Sequence, residues 1–145
     1  PITNKNMTRF NITLEEGISL VVWALKNLIG GEIFVPKIPS YRIMDVAEAI
    51  APSAKKTILG VRPGEKIHEE MITTSDSPNC IDLGNYYAIL SSDGSLLKSY
   101  NELGIKYINL PDNFSYNSNT NHDFLTIDQL RNLIRENVKP DFEPI

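Results

Sequence analysis

The residues with the clearest chemical potential are Arg62-Pro63-Gly64-Glu65, followed by Lys66-Ile67-His68-Glu69-Glu70. Pro63-Gly64 suits the middle of a type II turn, because proline presets the first dihedral and glycine tolerates the positive φ of the second. Such a turn brings its first and fourth residues within about 7 Å of each other. Arg62 and Glu65 are therefore expected side by side. A guanidinium clamps a phosphate or diphosphate with two parallel hydrogen bonds. A carboxylate only accepts, which suits the two adjacent hydroxyls of a ribose. A nucleoside diphosphate carries both groups. The plainer reading of the same four residues is a surface Arg–Glu ion pair, which is common and weak. The local pattern alone favours that plainer reading.

Positioning this turn requires flanking elements. The apolar run Thr57-Ile58-Leu59-Gly60-Val61 reads as a short strand leading into it, and Ile67 and Met71 suit a brief helix after it, with His68, Glu69 and Glu70 on the wetter side. Upstream, Met7 to Ile12 reads as extended. Thr13 and Glu16 have the spacing of a capping box. Leu14, Ile18, Val21, Val22, Leu25, Leu28 and Ile29 follow at helical spacing, which predicts an amphipathic helix over 14–29 stopped by Gly30-Gly31. Its stripe is expected to pack into the core, with Trp23 and Lys26 off it. Glu32 to Pro36 reads as a strand. Ser40 is the expected N-cap of a second helix carrying Ile43, Val46, Ala47 and Ile50, ended near Pro52.

Residues 73–79 read as a mobile polar loop. Tyr86 to Leu90 has high β propensity, Ser91 to Gly94 is a turn, and residues 95–110 are ambiguous. Residues 112–123 form a polar loop. Thr126 and Gln129 make a second capping box ahead of a last helix to about residue 137. Tyr86, Tyr87 and Tyr116 are expected in core or rim positions. The alternation of helices and strands predicts an α/β fold, with α+β left open.

The chain of 145 residues fits one domain and carries a net charge of -4, which argues against nucleic acid as a partner. Cys80 is the only cysteine, so no internal disulfide forms, in keeping with a cytoplasmic location. No apolar run is long enough to span a bilayer. The opening Pro1-Ile2-Thr3-Asn4-Lys5 reads like the middle of a loop, so a piece of a longer protein is expected. No Gly-rich dinucleotide turn and no Tyr-x-x-x-Lys occurs. His68 and His122 have no ligand spacing with Cys80, so no zinc site is expected. No nucleophile elbow is present. From its residues alone, the chain is a binding domain without a visible catalytic centre.

Four segments occur together in order: Met7-Thr8-Arg9-Phe10, Gly31 to Ser40, Arg62 to Glu70, and Thr120-Asn121-His122-Asp123-Phe124-Leu125. The set resembles the carboxyl-terminal part of inverting UDP-N-acetylglucosamine 4,6-dehydratases, which belong to the extended short-chain dehydrogenase/reductase superfamily and open pseudaminic acid synthesis. The resemblance covers nearly the whole chain. It implies that residues 1–145 are a UDP-sugar-binding domain whose partner is an amino-terminal Rossmann domain, absent here. That domain would bind NADP and carry the catalytic Tyr, Lys and acidic residue, so no catalytic residue and no cofactor contact is assigned to this chain. By motif, Arg62 would contact the diphosphate and Glu65 the uridine ribose. Arg9 would be a second diphosphate clamp, and Met7 and Thr8 would line the uracil side. Asn11 stands where the family usually has Trp.

In the whole enzyme a hydride would leave C4 of the sugar for the nicotinamide, water would be lost across C5 and C6, and the hydride would return to C6 with C5 inverted. The chain alone is expected to be inactive. A related UDP-sugar epimerase or dehydratase/epimerase is the second reading, and a non-catalytic nucleotide-sugar-binding or interaction module the third. Exposure of the surface meant for the partner domain would favour dimerisation or aggregation.

Overall fold

The computed structural model describes residues 1–145. In chain order the elements are β1 (Thr8–Phe10), α1 (Leu14–Asn27), β2 (Ile33–Pro36), β3 (Ser40–Arg42), α2 (Ile43–Ile50), β4 (Glu70–Ile72), a 3-10 turn (Ser77–Asn79), β5 (Cys80–Asp82), β6 (Tyr86–Ile89), α3 (Ser95–Glu102), β7 (Ile108–Asn109), β8 (Tyr116–Asn117) and α4 (Ile127–Asn137). The fold is mixed α and β, as expected. Every strand ladder is antiparallel, which fits the α+β alternative. No helix is long and apolar enough to cross a membrane. The chain forms two compact units. One comprises Pro1–Thr13, Ile38–Glu69 and Ser118–Ile145, and the other Leu14–Lys37 and Glu70–Asn117.

In the first unit β1 and β3 form an antiparallel ribbon that sets Thr8 opposite Arg42 and Phe10 opposite Ser40. Ser40 is not an N-cap. It is a fully buried strand residue, its N–H donating to Asp123 O and its C=O accepting from Leu125 N, both at 2.8 Å. Asn121 Nδ2 donates to its hydroxyl at 3.0 Å. These tertiary partners outcompete the capping role, and α2 begins after Arg42 with no side-chain cap. α2 and α4 share a small core of Ala49, Leu125 and Leu130, flanked by Val46 and Leu133. Arg131 Nε of α4 donates to Ala49 O at 3.2 Å, satisfying a carbonyl near the open C-terminal end of α2. The capping box of α4 is complete: Gln129 N–H donates to Thr126 Oγ1 at 3.3 Å and Thr126 N–H to Gln129 Oε1 at 2.8 Å.

The expected strand at 57–61 is reduced to one parallel bridge between Ile2 and Ile58. Only residues 2 and 3 are there to pair with it, and Ile58, Leu59 and Val61 are exposed.

In the second unit a four-stranded sheet runs in the order β2-β6-β5-β7. Ile81 of β5, Ala88 of β6 and Leu90 just after it meet Leu96 and Tyr100 of α3 in a buried core. The turn before α3 is organised by Asp93, whose Oδ1 accepts from Ser91 Oγ, Ser95 N–H and Ser95 Oγ at 2.7 to 3.0 Å. Those donors hold its carboxyl down at about 2. The expected mobile loop at 73–79 is tied by Asp76, which accepts from Thr73 N–H at 2.9 Å and Thr73 Oγ1 at 2.7 Å. Cys80 is buried and its Sγ donates to Asp76 O at 3.2 Å. Burial first, and then the Asp76 charge, push its thiol up to about 11. The three tyrosines take core and rim places as expected. Tyr116 is buried, Tyr87 packs edge-on against it at 5.3 Å, and Tyr86 is half-buried.

Two expectations fail in this unit. Residues 70–72 are a strand, not a helix, because Glu70 and Ile72 pair with Asn117 and Tyr116 of β8. The stripe of α1 is not in the core: the helix has no buried residue, and Leu14 and Leu25 are 76% and 73% exposed. α1 instead rests on the off-stripe Trp23, whose ring lies edge-on to Phe34 at 4.9 Å and against Tyr86 at 4.2 Å.

Candidate functional site

The candidate site lies in the first unit and begins with the turn. Glu65 N–H donates to Arg62 O at 3.1 Å, and Gly64 takes φ +81°. Both features fit a type II turn, and the positive φ explains why glycine stands at that position. The two side chains are not paired as charges. Glu65 Oε2 accepts from the backbone N–H of Arg62 at 3.1 Å. The carboxylate folds back to brace its own turn. The Arg62 side chain is left exposed, with no carboxylate within ion-pair distance. The plain surface ion pair is thereby excluded, and so is the expected side-by-side guanidinium and carboxylate.

Arg9 comes to the same segment from β1. Its Nη1 donates to Thr8 O at 2.7 Å and to Ile67 O at 3.1 Å, and its Nη2 to Lys66 O at 2.8 Å. Its Nε faces Glu69 Oε1 at 3.4 Å. A guanidinium has five donors, so one Nη2 proton stays unused. Arg9 is thus a strut from β1 to the residues just after the turn as well as a cation.

Met7 and Thr8 lie beneath this surface, 3% and 2% exposed. The Met7 carbonyl accepts from Ile43 N–H at 3.0 Å, and Thr8 N–H donates to Ile67 O at 3.0 Å. The Thr8 hydroxyl meets His68 Nδ1 at 2.8 Å and Ser118 Oγ at 2.7 Å. Ser118 Oγ also accepts from Glu69 N–H at 2.9 Å. A hydroxyl beside an imidazole is the geometry of an activated nucleophile. Here the hydroxyl is walled off from solvent, so the contact is architectural.

The sequence reading names Arg9, Arg62, Glu65, Met7 and Thr8; the fold ties Thr8 and Arg9 of β1, with Met7 just before it, to Lys66 and Ile67, which follow the turn carrying Arg62 and Glu65. That reading missed Glu69, His68 and Ser118. The first two were assigned to the wet side of a helix that does not form, and Ser118 to a polar loop. Ser118 lies 110 residues from its partner Thr8 and had no local signal. A cavity of about 80 Å³ lies elsewhere, bordered by Cys80, Leu90, Leu97 and Asn109, and none of the site residues lines it. No group of three or more His, Cys, Asp or Glu side chains is placed to hold a metal ion.

Residues 1–91 match the family model described as "Polysaccharide biosynthesis protein". The chain is similar to the UDP-N-acetylglucosamine 4,6-dehydratase (inverting) of Campylobacter jejuni subsp. jejuni serotype O:2, with 46% identity over 125 residues, covering 83% of this chain and 37% of that protein. It is 43% identical over 138 residues to the protein so named from serotype O:23/36, covering 92% and 41%. The UDP-glucose 4-epimerase of Rickettsia prowazekii is 37% identical over 92 residues, 61% of this chain and 27% of that one. Among solved structures, Pen from Bacillus thuringiensis superposes with a TM-score of 0.74 at 28% identity, over 93% of this chain and 40% of that one. The chain spans about two-fifths of the length of the dehydratases it matches.

Proposed function

The chain belongs to the polysaccharide biosynthesis protein family, and from that premise we propose that it is the part of a UDP-sugar 4,6-dehydratase that grips the uridine diphosphate. The observation that carries this reading is the exposed, unpaired guanidinium of Arg62, raised on a turn that its own residues brace. Arg62 would take the diphosphate, and the free oxygen of Glu65 the ribose hydroxyls. Arg9 would add positive charge and its one unused donor. Met7 and Thr8 would support the uracil side from below. Binding energy from this remote group would orient the sugar for chemistry carried elsewhere in the longer protein.

NADP does not fit the residues of this chain. Dinucleotides bind at the carboxyl ends of parallel strands beside a Gly-rich turn, whereas the ladders here are antiparallel. Cofactor binding and the hydride chemistry are therefore assigned to an amino-terminal domain, and the chain alone to no activity. The exposed stripe of α1 is the surface we assign to contact with that domain. The similarity to UDP-glucose 4-epimerases favours a second reading, an epimerase on the same UDP handle. Product analysis of the longer protein separates the two, since a dehydratase yields a 4-keto-6-deoxy sugar and an epimerase does not.

Calorimetry tests the site directly. UDP is expected to bind this chain weakly, with an affinity that falls as salt is added and is lost in Arg62→Ala. Equal affinity in wild type and Arg62→Ala would overturn the assignment.

A further inference from the structure

Three distant segments of the candidate site meet through a line of polar groups. Thr8 and Ser118 are 2% and 0% exposed, and His68 is half-buried. The direction of each hydrogen bond follows from counting protons. The Glu69 backbone N–H can only donate, so Ser118 Oγ accepts there at 2.9 Å. The Ser118 proton then has one acceptor within reach, Thr8 Oγ1 at 2.7 Å. A buried hydroxyl proton pointed anywhere else would be left unsatisfied, which native structures avoid. Thr8 Oγ1, having accepted from Ser118, donates onward to His68 Nδ1 at 2.8 Å. His68 Nδ1 must therefore be bare, and the proton of the neutral ring sits on Nε2. The line runs one way, from the Glu69 N–H through Ser118 and Thr8 to the imidazole.

We propose that His68 is a positioning residue of the UDP site, the terminal acceptor that lets this line close. The proposal rests on the UDP-binding reading above. What the line holds in place is specific. Lys66 and Ile67, the two residues before His68, supply carbonyls that seat the Arg9 guanidinium. Ile67 O also receives the Thr8 N–H at 3.0 Å. The side-chain line thus pins residues 68 and 69 to β1 while the backbone bond pins residue 67. Without an acceptor at Nδ1, the Thr8 proton is stranded in a buried place. The 66–69 segment must then shift, and Arg9 loses its seat although no group that touches ligand has changed.

Two measurements test this. Nitrogen-15 NMR of the histidine rings of the unliganded chain is expected to show His68 as the Nε2–H tautomer, and an Nδ1–H tautomer would overturn the line. UDP calorimetry then compares variants. His68→Ala is expected to weaken binding about fivefold, the loss of one ordinary hydrogen bond. His68→Asn puts an amide oxygen near the place of Nδ1 and is expected to stay within about twofold of wild type. His68→Gln, which mimics only the far side of the ring, is expected to behave like Ala, and Ser118→Ala likewise. Unchanged affinity in His68→Ala, or an Asn variant as weak as Ala, overturns the positioning role. If wild type itself gives a flat UDP titration, the UDP reading falls and the positioning role with it, while the tautomer is still decided by NMR. A variant that fails to fold leaves the wild-type spectrum to decide the line.

Discussion

Helix α4 turns Leu130 inward against Ala49 of α2 and Leu125, whereas α1, with a longer apolar stripe, holds Leu14 and Leu25 about three-quarters exposed. Both sequences have the periodicity of an amphipathic helix. They differ in what lies opposite. α4 has α2 within its own unit, and its N-terminus is locked by a complete capping box. α1 touches the sheet of its unit through Trp23, which sits off the stripe. A repeat of apolar residues fixes that a helix has a face, and says nothing about whether the chain in hand supplies the cover. The stripe of α1 stays exposed, and its contact with a further domain is part of the proposal above.

Substitutions sharpen the contrast. Leu130→Ala removes a buried side chain from a small core and is expected to cost about 3 kcal/mol in urea unfolding. Leu25→Ala, the matching change on α1, is expected to stay within about 0.5 kcal/mol of wild type. A large loss from Leu25→Ala would mean that the stripe is covered. Thr126→Ala removes the cap that α4 has and is expected to cost about 1 kcal/mol by the same measurement.

A pH effect concerns α3, whose leading turn depends on Asp93. The folded state holds that carboxyl at about 2, below its ordinary value of 3.8, through the Ser91 and Ser95 donors. Its stabilisation is therefore fully present above the ordinary value and is lost as pH falls through about 2. Asp93→Asn is expected to flatten the melting temperature between those two pH values. An unchanged acid slope would count against the turn's role.

Three helices were legible in the sequence because each is local: α1 and α2 end close to Gly30 and Pro52, and α4 starts after the Thr126–Gln129 pair, whereas α3 lies in the ambiguous residues 95–110. The type II turn at 62–65 was legible for the same reason. What escaped was set by partners far away in the chain. Ser40 looks like a cap until Asp123 and Leu125 arrive on either side of it. Glu70 looks like the wet face of a helix until Asn117 and Tyr116 pair with Glu70 and Ile72 and make that segment a strand, with His68 in the bend before it. Glu65 was placed correctly along the chain, but not its preference for the backbone N–H of Arg62 over the guanidinium. That choice is between two donors a few atoms apart, and composition cannot make it.

Cys80 has a consequence for experiment. It is the only thiol, it sits in the interior strand β5, and at about 11 it holds a thiolate fraction on the order of one in ten thousand at neutral pH. Burial and the raised thiol make it a slow target for a disulfide reagent while β5 stays paired in its sheet. The pace of the reagent's colour change is then a clock for how often that sheet breathes, wound by the fold itself and needing no engineered label.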